Sequence, residues 1–223
     1  MVSANIGEGV GQYFRKQSLL TTYEQYRSQI KTGDVIAFSG NAGFSHFIRW
    51  ATGSIYSHVG IVLNTDLGTG GDDSVLVIES RTDTKGRDAA GAQLVKGVQL
   101  HWLSKRILGF DGAVWLFPLQ RALDAEKQAR MQSWLRQTNN QVIAYDAIQT
   151  LGAGLDMFDR VGLTFNDENL STLFCSELVA KALQIAGLLD DNLNPSEFTP
   201  SDVVNLPLYG QPLQFKSDSD PLG

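Results

Sequence analysis

Short apolar runs separated by glycine- and aspartate-rich breaks dominate the first half of the chain, and longer amphipathic stretches dominate the second. Val35-Ile36-Ala37-Phe38-Ser39 follows a Thr32-Gly33-Asp34 turn and stops at Gly40, which predicts a strand. Residues 58–63 and 74–79 are two more β-favouring runs. The Gly- and Asp-rich stretch 66–73 between them is a hairpin-type connection, so the pair is expected to be antiparallel. Residues 95–100 and 114–117 add further strands, with a polar loop at 85–91 expected to be mobile. The spacing of apolar positions predicts helices over 10–30, 44–50, 122–137, 144–151 and 173–186. In the helix 122–137, Asp124 and Glu126 near the start and Arg130 and Arg136 towards the end match the helix dipole. The Pro-, Ser- and Asp-rich tail from Gln211 is expected to fray.

Strands come first and helices follow, with no internal repeat or linker between them. That segregation argues for an α+β fold, an antiparallel sheet or small barrel packed against helices, rather than an alternating parallel sheet. A length of 223 residues is compatible with one domain or two small ones. One domain over 1–223 is preferred, with an N-terminal helix at about 10–30, a core over about 32–204 and a tail from 211.

Composition narrows the classes of function. Charged residues make up 19% of the chain and the formal net charge is -6, which leaves no electrostatic footprint for a phosphate backbone, so no nucleic-acid partner is expected. One cysteine cannot form an internal disulfide, and with three histidines it supplies too few soft ligands for a structural zinc site. No apolar core follows a basic start at the N-terminus, and nowhere do about 18 apolar residues run together. The expectation is a cytoplasmic protein without transmembrane anchoring. Export by a route needing no cleaved signal is compatible with the same sequence.

Cys175 lies in Leu173-Phe174-Cys175-Ser176-Glu177-Leu178-Val179, where Ser171 or Thr172 is a plausible N-cap that would put the thiol in a first helical turn. Unpaired N–H groups and the helix dipole would there stabilise a thiolate and an oxyanion. A lone cysteine is more often just a small buried apolar residue, so the chemistry depends on a base. His58 heads the run Ser57-His58-Val59-Gly60-Ile61-Val62, at a sheet end that would hold its ring rigidly. His46 lies in an aromatic-rich helical stretch and fits a packed residue, and His101 fits a cap or a surface position. Glu79 closes the apolar run Val75-Leu76-Val77-Ile78. If the two strands pair antiparallel, Glu79 returns beside His58 and can bond one ring nitrogen while the other faces the thiol.

Gly33-Asp34-Val35-Ile36, Tyr56-Ser57-His58-Val59-Gly60-Ile61-Val62, Val77-Ile78-Glu79 and Phe174-Cys175-Ser176-Glu177-Leu178-Val179, in that order, resemble the circularly permuted NlpC-type papain-like cysteine hydrolases, the YiiX/YebB-like group. The order histidine, acidic residue, cysteine distinguishes this group from ordinary papain-like enzymes. The resemblance covers about 32–204, with 195–202 as the closing segment. It implies a permuted papain-like fold and a thioester acyl-enzyme, with Cys175, His58 and Glu79 catalytic and no metal or organic cofactor. It also points to Tyr145 as an oxyanion-assisting hydroxyl, though a helix-start aromatic in the core fits that position as well. The substrate it implies is a peptide with cell-wall-type amide links, or a lipid-linked amide or ester that could also be acted on by acyl transfer. A non-catalytic lipid- or peptide-binding module on the same fold is the rival of a different class.

Overall fold

The structure, a computed structural model, describes residues 22–40, 54–64, 75–140 and 167–217. Six strands form one antiparallel sheet: β1 (Val35–Gly40), β2 (His58–Asn64), β3 (Leu76–Arg81), β4 (Gly97–Trp102), β5 (Gly112–Phe117) and β6 (Leu213–Lys216), in the order β4-β3-β2-β1-β5-β6. The sheet is open, so of the two arrangements expected for the α+β class the closed barrel does not form among the described residues. Among the described residues, the helices α1 (Leu103–Gly109), α2 (Ala125–Asn140), α3 (Asp167–Ile185) and α4 (Pro200–Val204) accompany it.

Every residue of β1 is buried, as are nearly all of β2 and β3, which explains why these runs lack polar alternation. Both faces of the sheet are covered. Val35, Ala37, Val59, Ile61 and Ile78 pack with Met131 and Leu135 of α2 and with Leu178, Val179 and Leu183 of α3. Ile36, Phe38, Val62 and Val77 point the other way, against Leu103 and Ile107 of α1 and against Tyr23, which lies in the helical residues 22–27.

The Gly33-Asp34 turn ties three strands together. Gly33 has φ 94°, and a Cβ there would meet Leu119 Cδ1 at 2.7 Å, so two constraints favour glycine. The buried Asp34 carboxylate accepts from Lys31 N at 2.7 Å and Leu119 N at 2.8 Å, and its carbonyl accepts from Val62 N. Burial pushes the Asp34 pKa up to about 6 despite those amides and the nearby Lys31.

Several boundaries differ from those the sequence predicts. β3 continues two residues past Glu79, because β4 pairs with it as far as Arg81↔Gly97. α2 starts at Ala125, where Asp124 Oδ1 accepts from Lys127 N at 2.8 Å and caps it. α3 starts at Asp167, ahead of Ser171 and Thr172, and the sequence Asp167-Glu168 is itself favoured in a first turn. α1, at seven residues, is too short to show a periodic signal in the sequence. The tail from Gln211 does not fray over the described residues. Gly210 N bonds Pro118 O, and Leu213–Lys216 then adds an edge strand to β5, with Phe215 buried edge-on to Tyr23. The predicted helices 44–50 and 144–151, the connection 66–73 and most of 10–30 lie outside the described residues. No described helix is long and apolar enough to cross a membrane.

Phe215→Ala should therefore cost about 3 kcal/mol, the scale of emptying a buried aromatic site. A urea titration should show a lower midpoint at unchanged slope, whereas a frayed tail would leave the midpoint where it was.

Candidate active site

Glu79 is fully buried in the middle of β3, not at the strand end where it would meet solvent. Its space is made by Gly60, since a Cβ there would approach Val77 Cγ2 at 3.0 Å, Glu79 Cβ at 3.2 Å and the Ile78 carbonyl at 3.2 Å. A carboxylate in such surroundings needs cationic partners or it would take up a proton. Arg106 of α1 supplies the main one: its Nε donates to Glu79 Oε1 at 2.5 Å and its Nη2 to Oε2 at 3.2 Å, a two-pronged grip. The guanidinium rests on aromatic faces, 4.8 Å from the Phe38 ring centroid and 5.6 Å from that of Phe110.

His58 completes the first half of the expected arrangement. Its Nε2 lies 2.6 Å from Glu79 Oε2. The ionised carboxylate can only accept, so this nitrogen carries the proton and Nδ1 is left with a lone pair. The ring also packs on Phe38, with centroids 5.4 Å apart. Burial alone would raise the Glu79 pKa, but Arg106 and the His58 hydrogen bond, with help from Arg81, hold it well below the usual carboxylate range. Burial, with the nearby Arg106 and Arg81, lowers the His58 pKa against the pull of Glu79, so the ring is a neutral acceptor at neutral pH.

His101 belongs to this cluster, contrary to the cap or surface position expected for it. It is buried in β4 with Nε2 3.8 Å from Glu79 Oε1. Gln99 donates to the carbonyls of Asp83 (2.6 Å) and Val95 (2.7 Å), which leaves its Oε1 to accept from His101 Nε2 at 3.0 Å. Burial pushes the His101 pKa down to about 4 in spite of Glu79.

Cys175 is placed differently from the sequence expectation. It is the ninth residue of α3, so the unpaired N–H groups of a first turn are not beside it. It is fully buried and packs on the helix-covered face of the sheet in one cluster with Val59. Burial pushes its thiol up to about 12, opposed by the amide of Val59, which donates towards the sulfur. The thiol thus meets the residue that follows His58 in β2. His58 shares its face with Phe38 and Val59 faces the helices, so base and thiol approach the end of β2 from its two sides. Tyr145 and His46 lie outside the described residues. Among the described residues, no group of three or more His, Cys, Asp or Glu could hold a metal ion.

No protein-family model and no curated protein matches the chain. Among solved structures, the chain is similar to the crystal structure of metalloprotein yiiX (DUF1105) from Escherichia coli O157:H7. The identity is 17% and the TM-score 0.47, over 83% of this chain and 97% of that one.

Arg106→Met should cost about 3–5 kcal/mol, because it strands a buried charge, and adding Glu79→Gln to it should restore part of the loss. Thermal melts of the single and double variants measure both effects. A pH effect follows from His101. Its folded pKa of about 4 lies below the unfolded value of about 6.5, so the unfolded chain takes up the proton first. Stability present above about pH 6.5 is therefore lost as the pH falls towards 4, by on the order of 3 kcal/mol from this group. Urea midpoints at pH 7 and 4.5 should differ less in His101→Gln than in the parent.

Proposed function

We propose that this chain is a cysteine hydrolase acting on amide or ester bonds, with Cys175 as nucleophile, His58 as base and Glu79 as the carboxylate that orients the base. The observation that carries the reading is the 2.6 Å bond from His58 Nε2 to a buried, ionised Glu79, which leaves Nδ1 as the acceptor. A strand-borne imidazole held in one tautomer by a dry carboxylate is what a thiol nucleophile requires. The amide of Val59, the next residue along β2, donates towards Cys175 Sγ, and that nearness of the thiol to the backbone beside His58 supports the same assignment.

In the proposed reaction, His58 Nδ1 takes the proton from Sγ as sulfur attacks the carbonyl carbon, and the carbonyl oxygen becomes an oxyanion. The C–N or C–O bond then breaks, the imidazolium returns the proton to the leaving group, and a thioester remains on Cys175. Water, deprotonated by His58, releases the acid and restores the thiol. Glu79 keeps its charge throughout and favours the imidazolium. Tyr145 is the proposed hydroxyl donor to the oxyanion. Because the thiol is protonated as it stands, the proton transfer accompanies attack rather than preceding it as a stored ion pair.

The sequence resemblance to the permuted NlpC-type group adds the permuted papain-like fold and the substrate class, a peptide with cell-wall-type amide links or a lipid-linked amide or ester. One observation favours a second reading, a binding module with a silent cysteine: Cys175 is fully buried with its ionisation pushed up to about 12.

The two readings separate on the pH profile of Cys175 alkylation by iodoacetamide. The hydrolase reading expects reaction at neutral pH that is lost in His58→Ala. A silent core cysteine would react only in strong alkali, or not at all, and identically in both proteins, which would overturn the proposal.

A further inference from the structure

The pairing of β2 with β3 ends at Ile61↔Ile78, while β3 stays paired with β4 through Arg81↔Gly97. Beyond Gly60 the two inner strands part, and the His58–Glu79 bond spans the gap. Arg81 lies on this lip. Strand alternation puts it on the same face as Glu79, two residues further out. Its side chain is 21% exposed, whereas that of Arg106 is 8% exposed.

The two cations of the lip are held unequally. The buried carboxylate, Glu79, is already engaged by the Arg106 fork and by His58. What remains for Arg81 is Asp83, at 3.4 Å, a longer contact to a side chain that is itself 45% exposed. Such a pair is worth little and is readily exchanged for a better anion. Burial, followed by the nearby Arg106, weighs against the charged form of Arg81 and outweighs the support of Glu79 and Asp83, so a closely bound anion would offset that cost. We infer that Arg81 is the specificity cation of the site and selects substrates that carry an anionic group beside the bond to be cleaved. This rests on the hydrolase reading, since it presumes that Cys175 is the reacting group.

Paired alkylating reagents that differ only in charge test it: iodoacetate against iodoacetamide, with Cys175 followed by mass. Arg81→Gln should lower the ratio of iodoacetate to iodoacetamide rates about tenfold, the scale of one partly desolvated charge contact of about 1.4 kcal/mol. Arg81→Lys should keep most of the ratio, and Arg121→Gln, at an exposed position after β5, should leave it unchanged. A measurement on the parent alone needs no variant to fold: sodium acetate should slow iodoacetamide more than sodium chloride at equal ionic strength. A ratio unaffected by Arg81→Gln, or acetate and chloride acting alike, overturns the inference and leaves the hydrolase reading standing. Failure of both reagents to modify parent Cys175 removes the hydrolase reading and the inference with it.

Discussion

A carboxylate with no access to water governs the arrangement around the site. Glu79 stays ionised because Arg106 grips both its oxygens, and much of the neighbourhood follows from that need. α1 turns back directly after β4 and delivers the guanidinium. Phe38 and Phe110 form the shelf on which it rests, and Gly60 leaves room for the carboxylate. The charge then acts at short range on two histidines. It fixes the proton of His58 on Nε2 and draws on His101, which burial nevertheless keeps neutral.

The sheet separates this polar cluster from the apolar packing of the helices. Glu79, Arg106 and His58 lie with α1 on one face, and Cys175 arrives from the other among Val59, Val179 and Leu178. The thiol is thereby surrounded by groups that disfavour its charge, while the imidazole has a fixed counter-charge behind it. In the proposed chemistry these environments divide the labour: the sulfur holds its proton until a carbonyl arrives, and the base is ready to accept it.

Much of this was legible in the chain and some was not, for identifiable reasons. The His58–Glu79 neighbourhood followed from two β-favouring runs and a turn between them, because antiparallel pairing leaves few registers. Arg106 escaped notice because it sits 27 residues from its partner on a helix too short for periodicity to show. The start of α3 was misplaced because Ser171 and Thr172 resemble caps, while Asp167 and Glu168 compete for the same role. His101 looked like a surface residue because β4 was placed two residues early, at 95–100 rather than Gly97–Trp102. The composition of the tail hid the strand Leu213-Gln214-Phe215-Lys216, whose backbone pairs with β5 despite the Pro and Ser around it.

The position of β6 bears on how the chain acquires its shape during synthesis. β5 ends at Phe117, and the strand that covers its outer edge does not begin until Leu213. While α2, α3 and α4 are being made, the nascent chain carries an apolar edge with unpaired backbone groups, open to any extended segment near the ribosome exit. Folding of the helices onto the sheet cannot close that edge. Closure waits for four late residues, one of which, Lys216, reaches across to the carbonyl of Phe110 just ahead of β5. This late strand therefore acts as the chain's own guard against intermolecular pairing.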